Sequence, residues 1–79
     1  MRKDSEMAQE KVEFPITGKL ISVETSNGSV VNEGDTLCIL ESMKMENPIL
    51  APVGGTVTEL NLSPGQVVEA GDLVAIIEY

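Results

Sequence analysis

The 79-residue sequence predicts an all-β fold in which two similar halves of short, bent strands close face to face into a small sandwich or flattened barrel of roughly eight strands. Three observations predict it. The chain repeats itself without a gap at an offset of 37, aligning Phe14 to Glu41 with Ala51 to Glu78, so that Pro15 meets Pro52, Gly18 meets Gly55, Gly28 meets Gly65 and Gly34-Asp35 meets Gly71-Asp72. Each half carries two turn signals, Asn27-Gly28 with Glu33-Gly34-Asp35 and Pro64-Gly65 with Ala70-Gly71-Asp72, separated by β-branched residues. No stretch sustains apolar residues at i, i+3 and i+4 for the length of a helix.

In chain order, residues 1–11 are dominated by Arg2, Lys3, Asp4, Glu6, Glu10 and Lys11, with Met7 and Ala8 the apolar residues after Met1. They read as a flexible leader or a piece of linker, with the folded domain over 12–79. In the first strand of each half, Leu20 and Val57 lie two residues past their glycines, and Val23 and Leu60 five past. That spacing of three breaks strict alternation and predicts a bulge or bend, one that carries the strand from one sheet to the other. The Val30-Val31 and Val67-Val68 pairs repeat, and Leu37-Cys38-Ile39-Leu40 reads as a strand. The connection from Ser42 to Leu50 stands outside the repeat, at the junction of the halves. It places Lys44 at or beside the tip of a hairpin between two strand-like runs.

Composition bounds the function. A chain this short has a barely sufficient core, and with one cysteine and no histidine it can hold neither an internal disulfide nor a zinc site of ordinary composition. Thirteen acids against five bases give a net charge of −8, and the aromatics are one Phe and one Tyr. This disfavours a nucleic-acid partner and points to solubility or to steering toward a basic surface. With no signal-peptide core, no apolar run near the roughly 20 residues that span a bilayer, and one unpaired thiol, the chain reads as cytoplasmic, with no direct membrane insertion.

Glu41-Ser42-Met43-Lys44-Met45-Glu46, followed by Ala51-Pro52 and Gly55 and set between two halves with paired Gly-Asp turns, resembles the biotinyl domains, or biotin carboxyl carriers, of biotin-dependent carboxylases and decarboxylases. The resemblance runs from about Phe14 to Glu78. It implies a flattened barrel of two roughly four-stranded antiparallel sheets with a quasi-twofold axis, a barrel-sandwich hybrid, with the lysine on a protruding hairpin. It further implies that Lys44 is the covalent attachment point of biotin, and that the chain is a non-catalytic carrier moving a carboxyl group between biotin carboxylase and carboxyltransferase after loading by a biotin protein ligase. Some carriers of this family have a thumb inserted in the first half. The equal intervals Gly18 to Gly28 and Gly55 to Gly65 predict that this chain lacks it.

Met43 and Met45 admit two readings, as gap-fillers at the top of the core or, by the resemblance, as ligase-recognition residues. The sister lipoyl domains resemble Asp-Lys-Ala at this turn, so Met43 argues for biotin. Ser42 replaces the usual Ala, and Phe14-Pro15-Ile16-Thr17-Gly18 is looser than the family's Ala-Pro-Met-Pro-Gly. Glu41 and Glu46 bracket the turn and admit a reading as ligase or carboxylase contacts, but Glu41 repeats as Glu78, which favours a structural or solubility role. Asp35 and Asp72 read as turn formers. Cys38, aligned with Ala75, reads as a small buried filler with no histidine to activate it. The competing readings are a lipoyl-type acyl carrier and an unmodified lipoyl-like adaptor module; the latter has no need of Met-Lys-Met.

Overall fold

A computed structural model describes residues 8–79. Among these the secondary structure is eight strands and no helix: β1 (Gln9–Glu13), β2 (Gly18–Val23), β3 (Val30–Val31), β4 (Thr36–Ser42), β5 (Met45–Leu50), β6 (Gly55–Glu59), β7 (Val67–Val68) and β8 (Leu73–Glu78). They form two four-stranded antiparallel sheets, ordered β1-β8-β6-β3 and β5-β4-β2-β7. Adding 37 to the first sheet's β1 and β3, and subtracting it from its β8 and β6, generates the second sheet in the same order. Register follows the same rule: Val12↔Ala75 becomes Ile49↔Cys38, and Val57↔Ile77 becomes Leu20↔Leu40.

Each sheet places two central strands from one half between edge strands from the other. The turns interlock the halves further. The Gly34 amide donates to the Ala51 carbonyl and the Gly71 amide to the Phe14 carbonyl, both at 2.8 Å. Asp35 and Asp72 are turn formers as expected: their Oδ2 atoms accept from the amides of Asn32 (2.8 Å) and Glu69 (2.9 Å). The inward faces meet in one core of Val12, Phe14, Leu20, Val31, Leu37, Cys38, Leu40, Ile49, Ala51, Val57, Leu60, Val68, Val74, Ala75 and Ile77. Nearly every member has its repeat partner in that core. Phe14 and Ala51 are the repeat pair that differs most in size, and both are buried.

Three expectations need correction. Gln9–Lys11, read as leader, belong to β1, because Lys11-Val12-Glu13-Phe14 alternates outward and inward and buries Val12 against the core. Ala8 is likewise held, exchanging backbone hydrogen bonds with Tyr79, and the rest of the leader, residues 1–7, lies outside the described residues. Next, most of the connection from Ser42 to Leu50 is not outside the repeat: Glu46 to Leu50 are the counterparts of Gln9 to Glu13, and only the turn itself is unmatched. Last, the predicted bulges exist at Ile21 and Thr58, where the register shifts between Leu20 and Ser22 and between Val57 and Glu59. They bend the strands without moving them between sheets, since β2 stays paired with β4, and β6 with β8, across the bulge. The connections from β2 to β3 and from β6 to β7 are short turns, and neither half carries a thumb.

Candidate functional site

β4 and β5 form a hairpin closed by the Ser42↔Met45 pair, with Met43 and Lys44 as its two central residues. Both have positive φ, 56° and 63°. Two consecutive positive φ values are the mark of a type I′ turn, whose twist matches that of the flanking strands. Asn-Gly is the preferred occupant there. A Met-Lys pair holds the same shape at a local cost of about 1–2 kcal/mol per residue, and backbone strain of this kind is concentrated at functional positions. These are the described non-glycine residues with positive φ.

The hairpin beneath is firm. Ile49 and Leu40 anchor it in the core. The half-buried Asn47 reaches back, its Nδ2 donating to the Met45 carbonyl at 3.2 Å and, at the outer limit of a hydrogen bond, to the Leu40 carbonyl at 3.5 Å. Lys44 itself is exposed. Met43 is 90% and Met45 64% exposed, so neither is the gap-filler that one reading of the sequence expected. The core ends at Leu40 and Ile49, leaving the tip nothing to pack against.

Glu41 and Glu46 are cross-strand neighbours at the base of the hairpin, and Lys19 of β2 is the next neighbour of Glu41. All three are exposed. Lys11 and Lys19 lie within strands β1 and β2, so Lys44 is the described lysine carried by a turn. Cys38 is wholly buried, and burial pushes its thiol up from 9.0 to about 11, as suits a filler and not a nucleophile. Sequence reasoning missed the strained turn and the Asn47 brace. The turn lacks the Gly or Asn that ordinarily announces positive φ, and an asparagine carries no sign of which carbonyl it will meet.

The family model of biotin-requiring enzymes, which covers biotin and lipoyl attachment domains, matches residues 10–77. The chain belongs to this family. Its span in the biotin-requiring family begins inside β1 and ends in β8, taking in both halves of the barrel. Among curated relatives, the chain is 52% identical over 42 residues to the methylmalonyl-CoA decarboxylase subunit gamma of Veillonella parvula, covering 53% of this chain and 33% of that one. It is 48% identical over 42 residues to a biotinylated protein TB7.3 homolog of Mycolicibacterium smegmatis, covering 53% and 59%. The match thus spans a third to about three-fifths of these relatives' lengths. The fold is similar to that found in the Kluyveromyces lactis urea carboxylase, with a TM-score of 0.81 and 34% identity over 98% of this chain and 6% of that one. It is equally similar to part of a single-chain, multi-domain long-chain acyl-CoA carboxylase, with a TM-score of 0.82 and 27% identity over 89% of this chain and 7% of that one. The family model and the biotinylated TB7.3 homolog both support biotin as the cofactor.

Proposed function

We propose that the chain is a carboxyl carrier whose Lys44 is biotinylated by a biotin protein ligase, and that it serves a biotin carboxylase and a carboxyltransferase without catalysing either reaction itself. The observation that carries this reading is the placement of an exposed lysine between Met43 and Met45 on a strained, braced two-residue turn, in a chain that the biotin-requiring enzyme family model matches over residues 10–77. The amine fits the group: amide formation with the cofactor's carboxylate consumes the Lys44 ammonium at a point where nothing packs over it. Biotin, when bound, supplies a ureido nitrogen that accepts and releases a carboxyl group.

The remaining work belongs to the chain's own residues. Met43 and Met45 present apolar thioethers on either side of the acceptor for the ligase to grip. Asn47 and the core anchors Leu40 and Ile49 hold the base still, so that motion is confined to the lysine stem and what it carries. A tether of that kind raises the effective concentration at each site visited to about millimolar. The relatives named for a decarboxylase and for acyl-CoA and urea carboxylases support partners of that class. The substrate acid is a property of the transferase.

The lipoyl reading is separated by offering the apoprotein two ligases in turn, a biotin protein ligase with biotin and a lipoate ligase with lipoate, each with ATP. The carrier reading expects loading by the first alone, abolished in Lys44→Arg, and a shift of preference toward the second in Met43→Asp. Loading of the native chain by the lipoate ligase, or undiminished biotinylation of Lys44→Arg, would contradict it.

A further inference from the structure

The sulfur atoms of the described residues lie in two opposite environments. Cys38 is sealed in the core, its thiol held protonated well past neutral pH, so the thiolate that oxidants attack is scarce. Met43 and Met45 are the two methionines of the described chain, and both stand in solvent on either side of Lys44. A methionine in so small a domain would ordinarily fill a gap in the core. Among the described residues, the sulfur open to an oxidant in solvent is thioether sulfur at the tip, while the Cys38 thiol is sealed away.

We propose that Met43 and Met45 form an oxidation site, in which their conversion to sulfoxides by a hydroperoxide such as hydrogen peroxide gates the attachment of cofactor to Lys44. The gate rests on the reading of Lys44 as the biotin acceptor. The chemistry is self-contained. The thioether sulfur attacks one peroxide oxygen, an S–O bond forms and the O–O bond breaks. The departing hydroxide takes the proton of the transferred hydroxyl and leaves as water. Sulfur is oxidised by two electrons and the peroxide is reduced by two.

Two features make this a gate and not simple damage. Both side chains lie outside the core cluster, so the added oxygens meet no packed neighbour and the barrel persists. At the same time the change falls on the surface a ligase must cover to reach the lysine. A surface that accepts two thioethers would bury two strongly polar oxygens without partners, and loss of even one hydrogen-bonding partner slows binding-dependent steps about tenfold or more. Exposure also leaves both sulfoxides open to methionine sulfoxide reductases, one for each epimer, so the block is reversible.

The test uses the full unbiotinylated chain. Hydrogen peroxide is applied and then removed, oxygen uptake is assigned by peptide mapping, folding is followed by circular dichroism and thermal melting, and initial rates of loading are measured with biotin protein ligase, ATP and biotin. The expected result is one oxygen on each of Met43 and Met45, an unchanged melt, loading slowed about tenfold or more, and recovery after treatment with both reductase types. Equal loading of oxidised and untreated protein overturns the gate alone. So does a loss that tracks oxygen on Met1 or Met7, or one that the reductases fail to reverse. Failure of the untreated protein to load overturns the acceptor reading, and the gate falls with it.

Discussion

Gly18 and Gly55 are repeat partners that must be glycine for a different reason from the turn glycines. A Cβ on Gly18 would overlap the carbonyl oxygen of Glu41, and one on Gly55 that of Glu78. Gly28, Gly34, Gly65 and Gly71 have open space around them but φ between +88° and +95°. Gly55→Ala must therefore push β6 away from β8 and is expected to cost about 3 kcal/mol. Gly65→Ala pays only for its backbone conformation, about 1–2 kcal/mol. Urea titrations of the two variants order them. The same reasoning reversed applies at the tip: Lys44→Gly removes a side chain from a φ of 63° and should raise stability by about 1 kcal/mol while abolishing cofactor loading. Cys38 gives a pH dependence. Its folded thiol titrates near 11 against 9.0 in the unfolded chain, so the folded state favours the protonated form. Its stabilising effect is complete below pH 9 and is lost as pH rises from about 9 to 11, a fall of about 2–3 kcal/mol. Cys38→Ala, which copies Ala75 of the other half, should flatten that alkaline slope in denaturant titrations.

Within the β4–β5 hairpin, Asn47 is the residue that ties the tip to the barrel. Asn47→Ala deletes the donor to the Met45 carbonyl and is expected to lower global stability by only about 1 kcal/mol. Amide exchange at the hairpin tip should quicken more than in β8, whose ladder is untouched. Hydrogen exchange read by mass spectrometry distinguishes this from uniform loosening. The hairpin was legible in the sequence as two strand-like runs around a polar tip. The first edge strand was not: β1 is short and highly charged, and its single buried side chain, Val12, repeats as Ile49. The signal was the same offset of 37 extended five residues toward the N-terminus. The bulges at Ile21 and Thr58 were legible as broken alternation, but alternation reports which face a side chain takes, not which strand is its neighbour. The supposed change of sheet was wrong for that reason.

At the scale of the molecule, the exchange of edge strands means that neither half owns a closed core. Residues 1–43 and 44–79, prepared separately, are expected to be unfolded by circular dichroism and to regain the β spectrum when mixed; independent folding of either piece would contradict the interlocked account. The repeat also relates the hairpin tip to a second place in the fold. The site related to the hairpin turn by the internal symmetry is where the ends of β1 and β8 meet, with Ala8 and Tyr79 exchanging backbone hydrogen bonds of 3.0 and 2.9 Å. Ser42 and Met45 stand in the same relation, but with Met43 and Lys44 between them. The fold thus has two symmetry-related ends, and among the described residues the lysine turn stands at the β4–β5 end.

The central claim is that this turn exists to carry biotin, and the most direct measurement is the intact mass of the unmodified chain before and after incubation with biotin protein ligase, ATP and biotin, followed by peptide mapping. The account predicts a gain of a single biotin, located on Lys44, with Lys11 and Lys19 unmodified. No gain on folded, previously unmodified protein, or a gain on either strand lysine, would contradict it.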